Sequence, residues 1–378
     1  MATDSFNRLK IDVVDRGLCT RCGACAGLCP HFGWYQDRVA PLHDCSRQSG
    51  ACEAVCPRIP CDPDALAQAL APPEIITPEM GPVRKLWVTQ ACDPTLRNLG
   101  QHGGTVTSLA HFALKQGVVD AWVMARSDGS LSGVPAVCRT DSQVKACSGT
   151  KLTSVPIVSG FLKAAGNGSG RFGVVATPCQ CLALAKIKAS NHPRLRQAAK
   201  RLALVIGLFC GWTLDLRDLR QSLPASLNLE AITGLDIPPS HYQSLEVATT
   251  EGMESVPLSE VNRAVRPACG YCFDLTAELA DVSVGSARLP LGWQEARHWN
   301  QTVVRSLAGQ DLVERAQTAE TLILQEPPAG ALEKLKAAAA GKKRTARRNL
   351  VGLSKDPDDL LYLPKGLGEG LSSLGNGA

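Results

Sequence analysis

No apolar run in this 378-residue sequence approaches the roughly 18 residues that a membrane-spanning helix needs. Met1 to Ala40 carries no charged-then-apolar leader with a cleavage site, so a cytoplasmic protein without disulfides is expected. There is no Gly-x-Ser-x-Gly elbow and no His-Glu-x-x-His, and no cysteine has a persuasive histidine companion. Serine-hydrolase, zinc-protease and thiol acyl-transfer chemistry therefore find no support. The net charge of +5 is mild and gives no reason to expect nucleic acid. A hydrophobic content of 44% with 20% charged residues is ordinary for a globular chain, whose length allows two or three units.

What the sequence has in excess is cysteine, 16 in all. In a reducing compartment such a number points to metal, with any remainder buried and inert. Cys19, Cys22, Cys25 and Cys29 follow one another at intervals of three, three and four, with Pro30 behind the last; Cys45, Cys52, Cys56 before Pro57, and Cys61 come next. Thiolates at intervals of three curl round one iron–sulfur cube, while a fourth before a proline binds the neighbouring cube. On that crossing rule Cys19, Cys22, Cys25 and Cys56 hold one [4Fe–4S] cluster, and Cys29, Cys45 and Cys52 begin a second. The second set is one short, because Ser46 to Ala51 contains no cysteine. Cys61 is the nearest replacement; a three-iron cluster or an empty second site are the alternatives. Zinc sites usually pair two knuckles across a longer loop, which this spacing does not match.

Residues 1–75 are thus expected to form a ferredoxin-like module. Pro72, Pro73, Pro78 and Pro82 mark a linker candidate. Beyond it, strands are expected at 85–89, 118–124, 172–176, 203–210 and 302–305, with helices at 105–115, 181–188 and 311–319. Continuously apolar strands alternating with helices predict an α/β sheet covered on both faces, over residues 76–330, with functional groups at strand ends. Residues 215–258 show no sharp periodicity. Residues 331–348 are helix-prone by composition, and the glycine-rich end of the 331–378 segment reads as a flexible tail. The basic run Lys342 to Arg348 reads as a solvated helix face or a contact for an acidic partner.

Four dispersed cysteines, Cys179, Cys210, Cys269 and Cys272, sit at expected strand ends or in loops, and form a candidate third cluster. Gly103-Gly104 precedes a helix and could turn backbone N–H groups towards a phosphate or flavin edge, although no full Gly-x-Gly-x-x-Gly accompanies the pair. His102 is a candidate proton donor and Lys151 a candidate anion partner. Single-electron carriers alone would make a wire, whereas a flavin converts single electrons to pairs.

The stretches Gly100 to Arg126, Ala176 to Gln180, Gly207 to Cys210, and Cys269-x2-Cys272-x-Asp274 through Gly285 together resemble the coenzyme F420 hydrogenase/dehydrogenase beta-subunit family. The resemblance covers roughly residues 85 to 320, behind the ferredoxin-like module. It implies FAD and iron–sulfur clusters, with Gly103, Gly104, Thr105, Thr107, Lys151, Thr177 and Gln180 lining the flavin. It also implies that Cys179, Cys210, Cys269 and Cys272 hold a cluster beside it. His102 stands where the family usually has serine, and Leu152 where an aromatic residue is usual, which points to a refitted ring environment. The expected function is electron transfer between clusters and a flavin-linked two-electron substrate within a larger redox complex. Hydrogenase, formate dehydrogenase or heterodisulfide reductase-like subunits, or a soluble ferredoxin, are the expected partners. A stand-alone reductase of a conjugated double bond, as in a tetrapyrrole, and a non-catalytic relay subunit are the other readings.

Overall fold

A computed structural model describes residues 4–129, 131–238, 242–287, 289–290 and 293–353. The glycine-rich end of the chain lies outside these residues. At the centre is an eight-stranded sheet. In chain order its strands are β1 (Lys85–Ala91), β2 (Ala121–Ser127), β3 (Gly133–Cys138) and β4 (Phe172–Ala176). They are followed by β5 (Leu202–Leu208), β6 (Val282–Ser286), β7 (Asn300–Val304) and β8 (Leu322–Gln325). Across the sheet the order is β8-β1-β7-β6-β5-β4-β2-β3. The inner block β6-β5-β4-β2 is parallel, and both flanks are antiparallel.

The apolar strands of the sequence are apolar because both faces are covered. Val123, Val174 and Val205 face one core with the helices Ile157–Asn167 and Pro178–Ala189. Trp122, Val175 and Ile206 face the opposite core with the helices Thr105–Lys115 and Leu307–Thr318. The unpatterned region resolves into the helix Leu216–Ser222 and a three-stranded antiparallel sheet of Ile232–Asp236, Ser244–Thr249 and Met253–Pro257. Its periodicity was hard to read because the outer strand exposes four of its five residues.

The cysteine-rich module is fused to the sheet domain. Cys22, Ala24 and Leu28 share a core with Ile157, Val158 and Phe161, and Val158 N–H donates to the Cys22 carbonyl at 3.2 Å. Gly23 lies at φ +80°, where a Cβ would come within 2.5 Å of Pro156 Cβ. Only glycine allows both this backbone conformation and this approach. Arg21 pairs with Asp37 inside the module and, at 2.6 Å, with Asp215 outside it. Arg38 joins Asp215 at 2.8 Å.

Two expectations need correction. The proline-rich stretch after residue 71 is no loose tether: Met80 is fully buried, and Arg305 donates to the carbonyls of Met80 and Pro82 at 2.6 and 2.7 Å. Nor is the basic run simply a solvated face of its helix, Ala331–Leu353. Lys343 is buried, with Glu278 at 2.7 Å and the Pro78 carbonyl at 2.8 Å, while Lys342 donates to the carbonyls of Cys210 and Gly211. Arg344 and Arg348 remain exposed. Composition revealed the helix and its charge, but not which lysines would turn inward. Among the described residues, no helix is long and apolar enough to cross a membrane.

Arg305 also donates to Thr276 and to Ser283 Oγ. Arg305→Leu leaves these buried acceptors unmatched at about 1–3 kcal/mol each. Thermal unfolding at a fixed scan rate should show a melting temperature lowered by more than 5 °C or so, given that about 1 kcal/mol moves Tm by roughly 2–4 °C in a large domain. An unchanged Tm would contradict this role.

Candidate functional site

The first four thiols of the crossing rule meet in space. Cys25 is half-buried; loss of hydration pushes its thiol well up, and the neighbours that push it further are Cys19, Cys22 and Cys56. Burial likewise moves Cys56 up to about 11. Cys29, Cys45 and Cys52 form a second set: burial raises Cys52 to about 11, with Cys29 and Cys45 adding to the shift. Cys61 stands elsewhere. It packs with Ala67, Leu182 and Leu279, and the charged groups acting on it are Lys186 and Asp62 rather than the second set. The sequence put Cys61 forward on nearness alone, but the chain turns away after Pro57 towards the helix Pro178–Ala189.

The dispersed cysteines form a third set. Burial lifts Cys210 to about 12, and Cys269, Cys179 and Cys272 all act on it. Burial also opposes ionisation of Cys269, but the Arg266 guanidinium at 3.5 Å and the Thr213 N–H at 3.3 Å outweigh it and hold this thiol below its ordinary value. No group of three or more His, Cys, Asp or Glu side chains among the described residues is gathered to hold one metal ion. The sets are thus looser than a mononuclear zinc site, where metal–sulfur bonds are about 2.3 Å.

What surrounds the thiols decides whether an anionic cluster suits them. Four buried or half-buried cations lean on the cysteine loops. Arg58 donates to the carbonyls of Leu18, Ala268 and Tyr271 at 2.6–2.9 Å. Arg266 donates to the Thr20 carbonyl, Lys186 to those of Cys56 and Ile59, and Lys342 to those of Cys210 and Gly211. Among the described residues none of the four makes an ion pair with a carboxylate. An uncompensated buried cation costs several kcal/mol. The acidic groups these cations face are chiefly cysteine sulfurs: Cys269, Cys179 and Cys19 for Arg266, and Cys61, Cys56 and Cys22 for Lys186, with Glu53 behind them. Lys342 faces Cys272 and Cys210 first, with Asp274 behind them. The residues therefore fit thiolate-bound, negatively charged clusters.

Beside the third set opens a cavity of about 710 Å3, within the usual range for a small-molecule site. It lies at the carboxyl ends of the parallel strands, where open α/β sheets bind ligands. Thr177 follows β4, Phe209 and Cys210 follow β5, and Ser286 ends β6. Gly104 caps the helix Thr105–Lys115 at φ +70°, where a Cβ would meet the Leu96 carbonyl oxygen at 2.6 Å. A Cβ on Gly103 would meet Asn300 Oδ1. Asn300 Oδ1 in turn accepts from Thr105 N–H at 3.3 Å.

Thr105, Thr107, Lys151, Thr177 and Gln180 all lie on the cavity wall. Thr107 bonds Ser148 Oγ at 3.1 Å. Gln180 Oε1 accepts from Thr177 N–H at 2.9 Å, and its amide donates to the Val155 carbonyl. The Lys151 ammonium closes its own turn on the carbonyls of Cys147, Ser148 and Gly149 at 2.6–3.1 Å; burial depresses its pKa. His102 also lines the cavity. Burial lowers its pKa, against the pull of Asp236 on the small sheet.

Sequence reasoning missed Gln301, Ser154 and Arg21, which share this wall. Gln301 Oε1 and Ser154 Oγ are buried without a hydrogen-bond partner, an expensive condition that a polar ligand in the cavity would relieve. No local motif marks either residue. These orphaned atoms, the glycine turn and the volume suit a small-molecule ligand with polar groups.

If Cys61 stands outside the clusters, Cys61→Ser should leave the iron content of anaerobically reconstituted protein unchanged, whereas Cys56→Ser should lower it. Loss of iron in Cys61→Ser would restore it as a ligand.

Comparison with known proteins places these features. The family described as "Coenzyme F420 hydrogenase/dehydrogenase, beta subunit N-term" matches residues 86–161, and its C-terminus counterpart matches residues 169–329. A 4Fe-4S binding domain matches residues 12–32. Coenzyme F420 hydrogenase subunit beta of Methanothermobacter thermautotrophicus is 31% identical over 72% of this chain and 95% of its own length. An F(420)H(2) dehydrogenase subunit of Methanosarcina mazei is 26% identical over 84% of this chain and 88% of its own. A chain from the F420-reducing [NiFe] hydrogenase complex of Methanosarcina barkeri shares the fold, with a TM-score of 0.66 at 22% identity, covering 74% of this chain and 94% of that one. The chain is therefore an iron–sulfur oxidoreductase that belongs to the coenzyme F420 hydrogenase/dehydrogenase beta-subunit family.

Proposed function

We propose that this chain passes electrons between [4Fe–4S] clusters and an FAD in the cavity, acting on a two-electron substrate of the coenzyme F420 kind as one subunit of a larger redox complex. Cys19, Cys22, Cys25 and Cys56 would hold one cluster; Cys179, Cys210, Cys269 and Cys272 would hold another, and Cys29, Cys45 and Cys52 would supply three ligands of a third. When bound, the clusters would supply single-electron and the flavin two-electron chemistry. The subunit role draws support from the names of the relatives, one a hydrogenase subunit and the other a dehydrogenase subunit.

The observation that carries this reading is contiguity. Cys179 of the third set adds to the upward push on the Cys22 thiol of the first, Arg266 bonds Thr20 beside the first set and Cys269 of the third, and Cys179 and Cys210 form part of the cavity wall. The chain's own residues then have distinct tasks. Gly104 lets the backbone of the helix N-terminus stand on the cavity wall, with Gly103 packed on Asn300 behind it, and Thr107 presents its hydroxyl beside that N-terminus while the Thr105 hydroxyl is tied to Thr89. Gln301 Oε1 offers an unmet acceptor. His102, neutral at pH 7 because its pKa lies below the ordinary value, can accept a proton at a ring nitrogen, and Asp236 favours the resulting cation.

The direct test is the absorption and EPR spectrum of anaerobically reconstituted protein, with extraction of the flavin. A broad sulfur-to-iron band together with yellow ring bands is expected. Clusters without any flavin would leave a relay subunit and overturn the proposal. Gly104→Val should abolish flavin retention while keeping the cluster spectrum, because the side chain strains a positive φ and strikes the Leu96 carbonyl. His102→Gln should keep the flavin but lose the acid limb of the pH–rate profile for viologen-coupled turnover. In the wild type that limb should have a midpoint below the ordinary histidine value of about 6.5, since protonation removes the acceptor.

A further inference from the structure

Cys92, Cys138, Cys147 and Cys181 stand outside the three thiol sets and apart from Cys61. Two of them meet. Cys138 ends β3, Cys147 follows the helix Asp141–Lys145, and their sulfurs are 3.5 Å apart. Cys138 is fully buried. Cys147 is buried too, yet it forms part of the cavity wall. A disulfide needs the sulfurs at about 2.05 Å, so the pair lies roughly 1.5 Å from closure. The intervening residues form the short helix Asp141–Lys145, opened by the reciprocal Thr140–Gln143 cap.

We propose that Cys138 and Cys147 form a redox-active dithiol, closed to a disulfide by a small-molecule disulfide arriving through the cavity and reopened by a small dithiol. The Cys147 thiolate attacks one sulfur of the incoming disulfide, forming a mixed disulfide and releasing the first thiolate, which takes up the proton that Cys147 lost. Cys138 then gives up its proton and attacks the Cys147 sulfur, expelling the second thiolate, which takes up that proton. Two protein thiols become one disulfide, and one small disulfide becomes two thiols, so two electrons leave the protein. The order follows from access, since Cys147 faces the cavity and Cys138 does not. Charge agrees with it: the hydrogen bond from Cys138 holds the Cys147 thiol below its ordinary value, with Lys151 and Arg126 adding to the effect against burial. The same hydrogen bond, with burial, pushes the Cys138 thiol up.

Closure would act on the cavity. The Cys147 carbonyl accepts from Lys151, and Ser148 next to it bonds Thr107 on the glycine-capped helix. Drawing Cys147 towards β3 therefore moves the turn that carries Lys151.

The test uses full-length protein with its clusters, before and after flavin supplementation, equilibrated anaerobically with hydroxyethyl disulfide and its thiol. Free thiols are then alkylated and the peptides mapped by mass spectrometry. A cross-link between the Cys138 and Cys147 peptides, two hydrogens lighter than the reduced pair, is expected in at least one of the two forms and should be reversed by dithiothreitol. Cys138→Ser should trap Cys147 as the hydroxyethyl mixed disulfide, whereas Cys147→Ser should leave Cys138 alkylated as a free thiol. The proposal is overturned if both cysteines remain free thiols in both forms of the wild type, or if Cys138 reacts in Cys147→Ser. The wild-type map decides the main point even if a variant fails to fold.

Discussion

Thiolates gathered in a protein interior repel one another and lose their hydration, and they can be held there only by positive charge that is buried with them. This chain meets that constraint with Arg58, Arg266, Lys186 and Lys342, each donating to carbonyls of the loops that carry the cysteines. Each cation does two things at once. It offsets the charge of the sulfurs, and it ties together parts of the chain that are distant in sequence. Arg58 joins residue 18 to residues 268 and 271, Lys186 joins the central helix to the loop after Cys56, and Lys342 bolts the C-terminal helix over Cys210. Stability of the sites and integrity of the fold are consequently the same problem, and the cysteine-rich module shares its core with the sheet domain instead of hanging from it.

The sheet explains where the cavity lies. Four parallel strands deliver their carboxyl ends to one edge, where the chain must leave the sheet and exposes backbone groups and short polar side chains. Antiparallel β7 enters the same edge from the other direction, and so brings Asn300 and Gln301 to a wall otherwise made of strand exits. From behind the wall, Asp236 of the small antiparallel sheet holds the lining residue Gln101 and pairs with Arg297. A helix that composition marks only as basic closes the remaining side with Lys334 and Leu335.

Much of this was legible. The intervals among Cys19, Cys22, Cys25 and Cys29 state a local geometry, because three residues of turn are enough to point successive sulfurs at a common centre. The strand Phe172–Ala176 and the helix Thr105–Lys115 follow from apolar runs and periodicity, and both were placed with the bounds the structure shows. Residues 215–258 were opaque because the three-stranded sheet is mostly half-buried, with one largely exposed strand, and carries too few buried positions to mark its period. Cys61 packs with Ala67, Leu182 and Leu279 instead, since proximity in sequence says nothing of direction once a chain has passed a Cys-Pro turn. Lys342 and Lys343 misled because a basic run reads alike whether its members face water, backbone carbonyls as Lys342 does, or a buried carboxylate as Lys343 does.

The sequence by itself determined the chemistry available: sulfur at cluster spacing, a glycine turn ahead of a helix, apolar strands that demand cover on both faces, and motifs shared with one family. These are local properties, written within a few residues of one another. Only the tertiary structure decided the partnerships. It brought Cys179, Cys210, Cys269 and Cys272 together, assigned each buried cation its sulfurs, left Gln301 and Ser154 facing a cavity without partners, and set Cys138 against Cys147. Such pairings depend on long-range packing and on which charges survive burial, and neither quantity is a function of spacing along the chain.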